Sequence, residues 1–177
     1  NISYVAFDSG MEYIADGDTF SLVDLHTDSI DGAEDMNIVG VRLTLSYGED
    51  ETARPSPLCL SQTAPDTITG MAMHAGFNGT ADGQNGGQNG GHDLTVEWFN
   101  SSMVGANVSG LSESQIISQI DSMGAGLGAY EASVSVAVER DSCTNPAFAN
   151  SENEDNGEEV TYTLELMVFD YTISSVS

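Results

Sequence analysis

The sequence predicts an all-β protein: an antiparallel β-sandwich of the immunoglobulin-like or jelly-roll kind with one short amphipathic helix. Three observations carry this. Apolar and polar residues alternate with a period of two along most of the chain, which gives strands one face for a core and one for water. Turn-rich segments punctuate these runs often enough for seven or eight strands, the number that suits two packed sheets. Only one stretch has helical spacing.

Taken in chain order, residues 2–7 open as a strand, and residues 19–25 form a second candidate. The clearest alternation follows, with Val39, Val41, Leu43, Leu45 and Tyr47 on one face and Gly40, Arg42, Thr44 and Ser46 on the other. Residues 50–65 read as a loop because they hold Pro55, Pro57 and Pro65. Residues 67–75 are strand-like. Residues 76–91 read as a low-complexity loop in which Gly-Gln-Asn-Gly occurs twice in succession. Residues 93–99 form the next strand, and Trp98 belongs to its core face with Leu94 and Val96. Tyr13, Phe77 and Phe99 lie off the alternating faces and are candidates for exposed contacts.

Ser112 and Gln115 make a capping box, and Ile116, Ile117, Ile120 and Met123 follow at helical spacing. Gly124 is the expected stop. Beyond the helix, Tyr130, Ala132, Val134, Val136 and Val138 alternate with polar or small residues. Residues 143–159 form an acidic, Asn-rich excursion. The last strand candidate runs over residues 160–173, about 46 Å of chain at ~3.3 Å per residue. It alternates up to Leu166 and is apolar on both faces from Met167 through Val168, Phe169, Tyr171 and Ile173.

A chain of 177 residues fits one domain over residues 1–177, large enough to bury roughly 70% of its unfolded surface. Its 28 acids oppose three arginines and no lysine, for a net charge of -25. That balance repels phosphate backbones and anionic lipid, so nucleic acid is excluded as a partner and direct membrane insertion is not expected. No apolar run of 18 residues is present. Lacking lysine, the chain has no route to Lys–Asn isopeptide cross-links.

Cys59 and Cys143 lie 84 positions apart, without CxxC or Cys/His ligand spacing. In an exported protein they are expected to close a disulfide worth about 4–5 kcal/mol in the chain-entropy model. Four N-x-Ser/Thr sequons, at Asn1, Asn78, Asn100 and Asn107, mark candidate glycosylation sites. Together these lead to the expectation of an extracellular or cell-surface location.

Calcium is the one cofactor the composition suggests. Glu152, Glu154, Asp155 and Asn156 crowd before Gly157. An EF-hand register centred on Gly157 fails, because its twelfth position is Thr163 rather than a glutamate. Asp16 and Asp18 flank Gly17 in a second acidic turn, and residues 86–94 resemble one calcium-binding nonapeptide repeat. His26, His74 and His92 are widely spaced, and no G-x-S-x-G elbow occurs, so no enzyme is expected.

The termini point to assembly. Ile2, Tyr4 and Phe7 begin the chain as a strand, and Met167, Phe169, Tyr171 and Ile173 end it as one with two apolar faces. Such a strand is either buried between layers or covered by another molecule. With its strand-like ends, single sandwich and absent N-terminal apolar helix, the chain resembles donor-strand fibre subunits such as chaperone–usher pilins and TasA-like matrix fibres. The resemblance implies a homopolymer joined by exchange of a terminal strand. A monomeric carbohydrate- or ligand-binding sandwich using loops 76–91 and 143–159 is the alternative expectation.

Overall fold

The computed structural model describes residues 1–48, 65–85, 89–139 and 156–174, together with the backbone strand pairing of residues 142–143 and 151–152. It is built from β1 (Ile2–Ala15), β2 (Thr19–Ser21), β3 (Ile38–Tyr47), β4 (Thr67–His74), β5 (Phe77–Gln84), β6 (Gly90–Glu97), α1 (Glu113–Ile120), β7 (Tyr130–Ala137), β8 (Ser142–Cys143), β9 (Ser151–Glu152) and β10 (Gly157–Phe169). All named strand pairs are antiparallel. One sheet has the order β1-β10-β3-β6 and the other β2-β7-β4-β5, with β8 and β9 as a separate hairpin.

The pairing is nested: β1 with β10, β2 with β7, β3 with β6 and β4 with β5. The sandwich therefore winds like one long hairpin rolled upon itself. The faces turned towards one another supply the main core, where Val41, Leu43, Leu45, Ile68, Val134, Val136, Leu164 and Leu166 are nearly inaccessible. Burying each such side chain stabilises by about 1.5–3 kcal/mol. Gly70 lets the sheets close, since a Cβ there would stand 3.0 Å from Leu45 and 3.2 Å from Leu43.

Two poles follow from the register. Ala15↔Gly157, Tyr47↔Val160, Tyr47↔Gly90 and Thr67↔Gln84 place one set of strand ends together. Ile2↔Phe169, Gly40↔Glu97 and His74↔Tyr130 place the other set together. The second pole carries α1 and both described chain ends, where Asn1 and Asp170 exchange backbone hydrogen bonds of 2.6 and 2.9 Å. We call it the helix pole.

Several elements depart from the sequence reading. β1 extends to Ala15 rather than stopping near residue 7, because pairing with β10 carries it through the non-alternating stretch of residues 8–13. The expected loop over residues 76–91 contains β5 and the start of β6. Its inward face is Gly79, Ala81 and Gly83, a period-two pattern written in small residues. The last strand ends at Phe169, and residues 170–173 continue without strand pairing.

The helix has the expected capping box, with both Ser112–Gln115 bonds formed. It stops at Ile120, before Gly124, and Met123 is 69% exposed. Among the described residues no helix is long and apolar enough to cross a membrane.

The two-faced end of β10 has an intramolecular explanation. Val168 enters the sandwich core, whereas Met167 and Phe169 turn outward into a second small core with Val39 and Ile120. Ile116, Phe99, Tyr171 and Ile173 pack around it. α1 thus forms a third layer over one end of the sheet.

Candidate functional site

β1 is the outermost strand of its sheet. It pairs with β10 from Ile2↔Phe169 to Ala15↔Gly157, interrupted by one bulge at Phe7. Yet only Ile14 of its fourteen residues is buried, whereas nine of the thirteen in β10 are. Its attachment therefore rests on the backbone ladder and a few anchoring side chains.

Those anchors pin one register. Phe7 meets Tyr130 edge-on at 5.2 Å between ring centroids. Gly10 lies beneath Tyr162, whose hydroxyl would be 2.8 Å from a Cβ at that position. Ile14 is 3% exposed, and its carbonyl lies so close to Gly157 that no side chain fits there. Gly157 itself has φ +151°, a conformation that favours glycine. A shift of one residue would put Ile14 on the wrong face and the side chain of Ser9 or Met11 under Tyr162, where only glycine fits.

On the outer face of this sheet, Arg42 stacks 3.6 Å from the Tyr4 ring centroid and donates to Glu165 from Nη2 at 2.6 Å and Nε at 3.1 Å. The Glu165 carboxylate, hydrogen-bonded to the guanidinium, holds the Arg42 pKa above its ordinary value. Tyr4, Met11 and Tyr13 stand 41, 60 and 53% exposed along β1. Of the assembly residues expected from sequence, Tyr4 is exposed, Ile2 and Phe7 are half-buried, and Met167 and Phe169 are buried under α1. Tyr171 and Ile173 flank that small core, half-buried.

His74 organises the helix pole. It stacks on Tyr130 at 3.9 Å, and Trp98 lies 5.1 Å away. Its Nδ1 faces the Ala129 carbonyl at 2.9 Å and its Nε2 the Ala125 carbonyl at 2.7 Å. A neutral imidazole donates to only one of them at a time. Trp98, as expected, packs against the main core, and its indole N–H donates to the Ile38 carbonyl at 2.9 Å. Phe77 and Tyr13 are exposed, whereas Phe99 is drawn onto Phe169 at 5.5 Å.

A different polar network ties the opposite pole. Asn85 donates to the buried Glu158 at 3.1 Å and accepts from the Asp66 amide at 3.1 Å, while Asp66 accepts from the Glu139 amide at 2.9 Å. Asp16 accepts from the Val138 amide at 3.0 Å, which gives that turn carboxylate a structural task. His92 bridges the Tyr47 hydroxyl at 3.1 Å and the Ala81 carbonyl at 3.0 Å.

Of the expected calcium ligands, Glu154 and Asp155 lie outside the described residues, as does the Glu152 side chain. Asn156 is described, and its carbonyl accepts from the Asp16 amide at 2.9 Å. Among the described residues no cluster of three or more His, Cys, Asp or Glu is arranged to hold a metal ion. Cys59 lies outside the described residues, and Cys143 is described only as part of β8.

All four sequon asparagines, Asn1, Asn78, Asn100 and Asn107, are exposed. All four also fall at the helix pole: Asn1 at the β1 start, Asn78 beside the β4–β5 turn, Asn100 and Asn107 between β6 and α1. Asn100 accepts from the Ser102 amide and hydroxyl, the latter at 2.6 Å, and donates to Gln119 at 2.9 Å. Asn107 sits on the rim of a groove of ≈ 1000 Å³ between residues 103–111, α1 and the segment 169–174. No protein-family model matches the chain, and a search of curated proteins finds no similar sequence.

Proposed function

We propose that this chain is an extracellular structural subunit of a surface filament, a jelly-roll module joined to copies of itself by exchange of strand β1. The nested pairing of strands is what supports the jelly-roll type, since a rolled hairpin of eight main strands is that architecture. The observation that carries the assembly reading is the contrast within the β1–β10 pair. β1 is the edge strand of its sheet, with one buried residue in fourteen, yet its ladder runs from Ile2 to Ala15 with a single bulge at Phe7. A strand held this way can be supplied by a neighbour with the same hydrogen bonds and the same register anchors.

β10 is a poor candidate for exchange. Its removal would expose both the sandwich core and the small core beneath α1. Glycans on the sequons and an exported location belong to the same reading.

The test is twofold. Negative-stain electron microscopy of native material should show regular filaments rather than discrete particles of 18.6 kDa. In solution, a chain lacking residues 1–15 should stay folded and capture a synthetic peptide of those residues, with Phe7→Ala weakening the capture. Discrete particles together with a truncated chain that fails to bind the peptide would overturn the proposal and leave a monomeric ligand-binding sandwich.

A further inference from the structure

The groove beside Asn107 has both apolar and acidic residues in its lining. Val108, Leu111, Phe169 and Tyr171 give it apolar walls, with Val108 and Leu111 still 40 and 39% exposed. The acidic residues Glu113 and Asp170 also line it. Apolar faces interleaved with hydrogen-bond acceptors match a saccharide, whose C–H faces lie on aromatic or aliphatic surface while its hydroxyls donate. A sequon stands in the lining itself: Asn107, Val108 and Ser109.

We infer that this groove seats the N-linked glycan carried by Asn107 of the same chain. In the modification, carried out by a separate glycosyltransferase, Asn107 Nδ2 gives a proton to a carboxylate base of that enzyme and bonds to the anomeric carbon of an activated, phosphate-linked sugar donor. The donor's phosphate leaves with the bonding electron pair. The innermost sugars then fold back over Val108 and Leu111, and the helix pole becomes a glycan-capped end. The other three sequons at this pole extend the cap. The inference rests on the exported location proposed above, but not on β1 exchange.

Glycopeptide mass mapping of the native chain should find a glycan on the Asn107 peptide. Enzymatic removal of glycans from the folded chain should raise Nile red fluorescence several-fold. Ser109→Ala, which keeps the asparagine but destroys the sequon, should reproduce that rise without enzyme. Thr80→Ala, which destroys the Asn78 sequon away from the groove, should not. A bare Asn107 overturns the inference, as does an occupied Asn107 whose deglycosylation leaves dye binding unchanged. Filaments built from chains with bare Asn107 would reject this inference while leaving strand exchange standing.

Discussion

Gly83 shows how one residue decides the spacing of an edge. A Cβ at this position would collide with the Tyr47 hydroxyl and His92 Nδ1, so the Tyr47–His92–Ala81 chain of hydrogen bonds exists only because position 83 has no side chain. Gly83→Val should break that chain and force β5 outward, at about 1–3 kcal/mol for the overpacking. Urea denaturation checks it, and an unchanged midpoint would remove the role given to Gly83. Tyr130 tests burial at the other pole. Its hydroxyl donates to the Gly126 carbonyl at 2.7 Å, and desolvation raises its pKa well above the ordinary 10.0. Desolvation raises Tyr47 and Tyr162 in the same direction. The folded chain thus holds these protons more tightly than the unfolded one, so the stabilisation is complete below pH ~10 and is lost as pH rises through the folded-state values. Stability should be insensitive to these groups near neutrality and fall above pH ~10. Tyr130→Phe should soften the alkaline fall while costing about 1 kcal/mol at neutral pH for the lost hydrogen bond. Tyrosinate absorbance recorded alongside circular dichroism checks this, and free titration of every tyrosine in the folded state would contradict it.

Among the elements, the β4–β5 hairpin shows where sequence patterns stop being readable. His74 pairs with Phe77 across a two-residue turn whose central residues, Ala75 and Gly76, have φ of 47 and 89°. Primed turns of this kind favour Asn-Gly, and alanine at the first position leaves no turn signal. Ala75 therefore sits in a left-handed conformation costing about 1–2 kcal/mol. Ala75→Asn should recover roughly 1 kcal/mol of it, seen as a higher thermal midpoint, and a lower midpoint would count against the turn assignment. The same blindness hid β5, whose inward face of Gly79, Ala81 and Gly83 alternates in size rather than in hydrophobicity. By contrast, β3, β7 and the first part of β10 were legible because Val, Leu and Tyr alternate with polar residues on a sheet with one core face. The capping box of α1 was equally plain, since Ser112 and Gln115 carry both of its bonds. The two apolar faces at the end of β10 are plain in its composition, from Met167 to Phe169. That α1 covers it could not be known, because helix-to-sheet docking depends on long-range contacts. The candidate site was the least legible part: clustering of four sequons at one pole appears only once the strand register is known.

At the scale of the whole molecule, the question is how β1 leaves one sandwich and enters another. A charge of -25 with three cations makes copies repel, so association by general stickiness is disfavoured and any contact must be specific. Strand exchange meets that requirement, because it replaces an intramolecular ladder with an identical intermolecular one. The connection from β1 to β2, the turn from Ala15 to Thr19, must open. There the Asp18 amide donates to the Ala15 carbonyl at 2.9 Å, Gly17 donates to Val136 at 2.9 Å, and Gly17 has φ +79°. Nothing lies within 4 Å of a Cβ built on Gly17, so a side chain there fits sterically and is penalised by backbone conformation alone. Gly17→Val should therefore strain the closed turn by about 1–2 kcal/mol. That strain disappears when residues 15–19 extend towards a neighbour. By the same free energy, the exchanged population should rise about 5–30-fold at fixed protein concentration. Sedimentation velocity across a concentration series reads this directly. A shift from 18.6 kDa monomer to discrete oligomers or filaments is the expected outcome. A variant that remains monomeric and only melts at lower temperature would mean that β1 belongs permanently to its own sandwich.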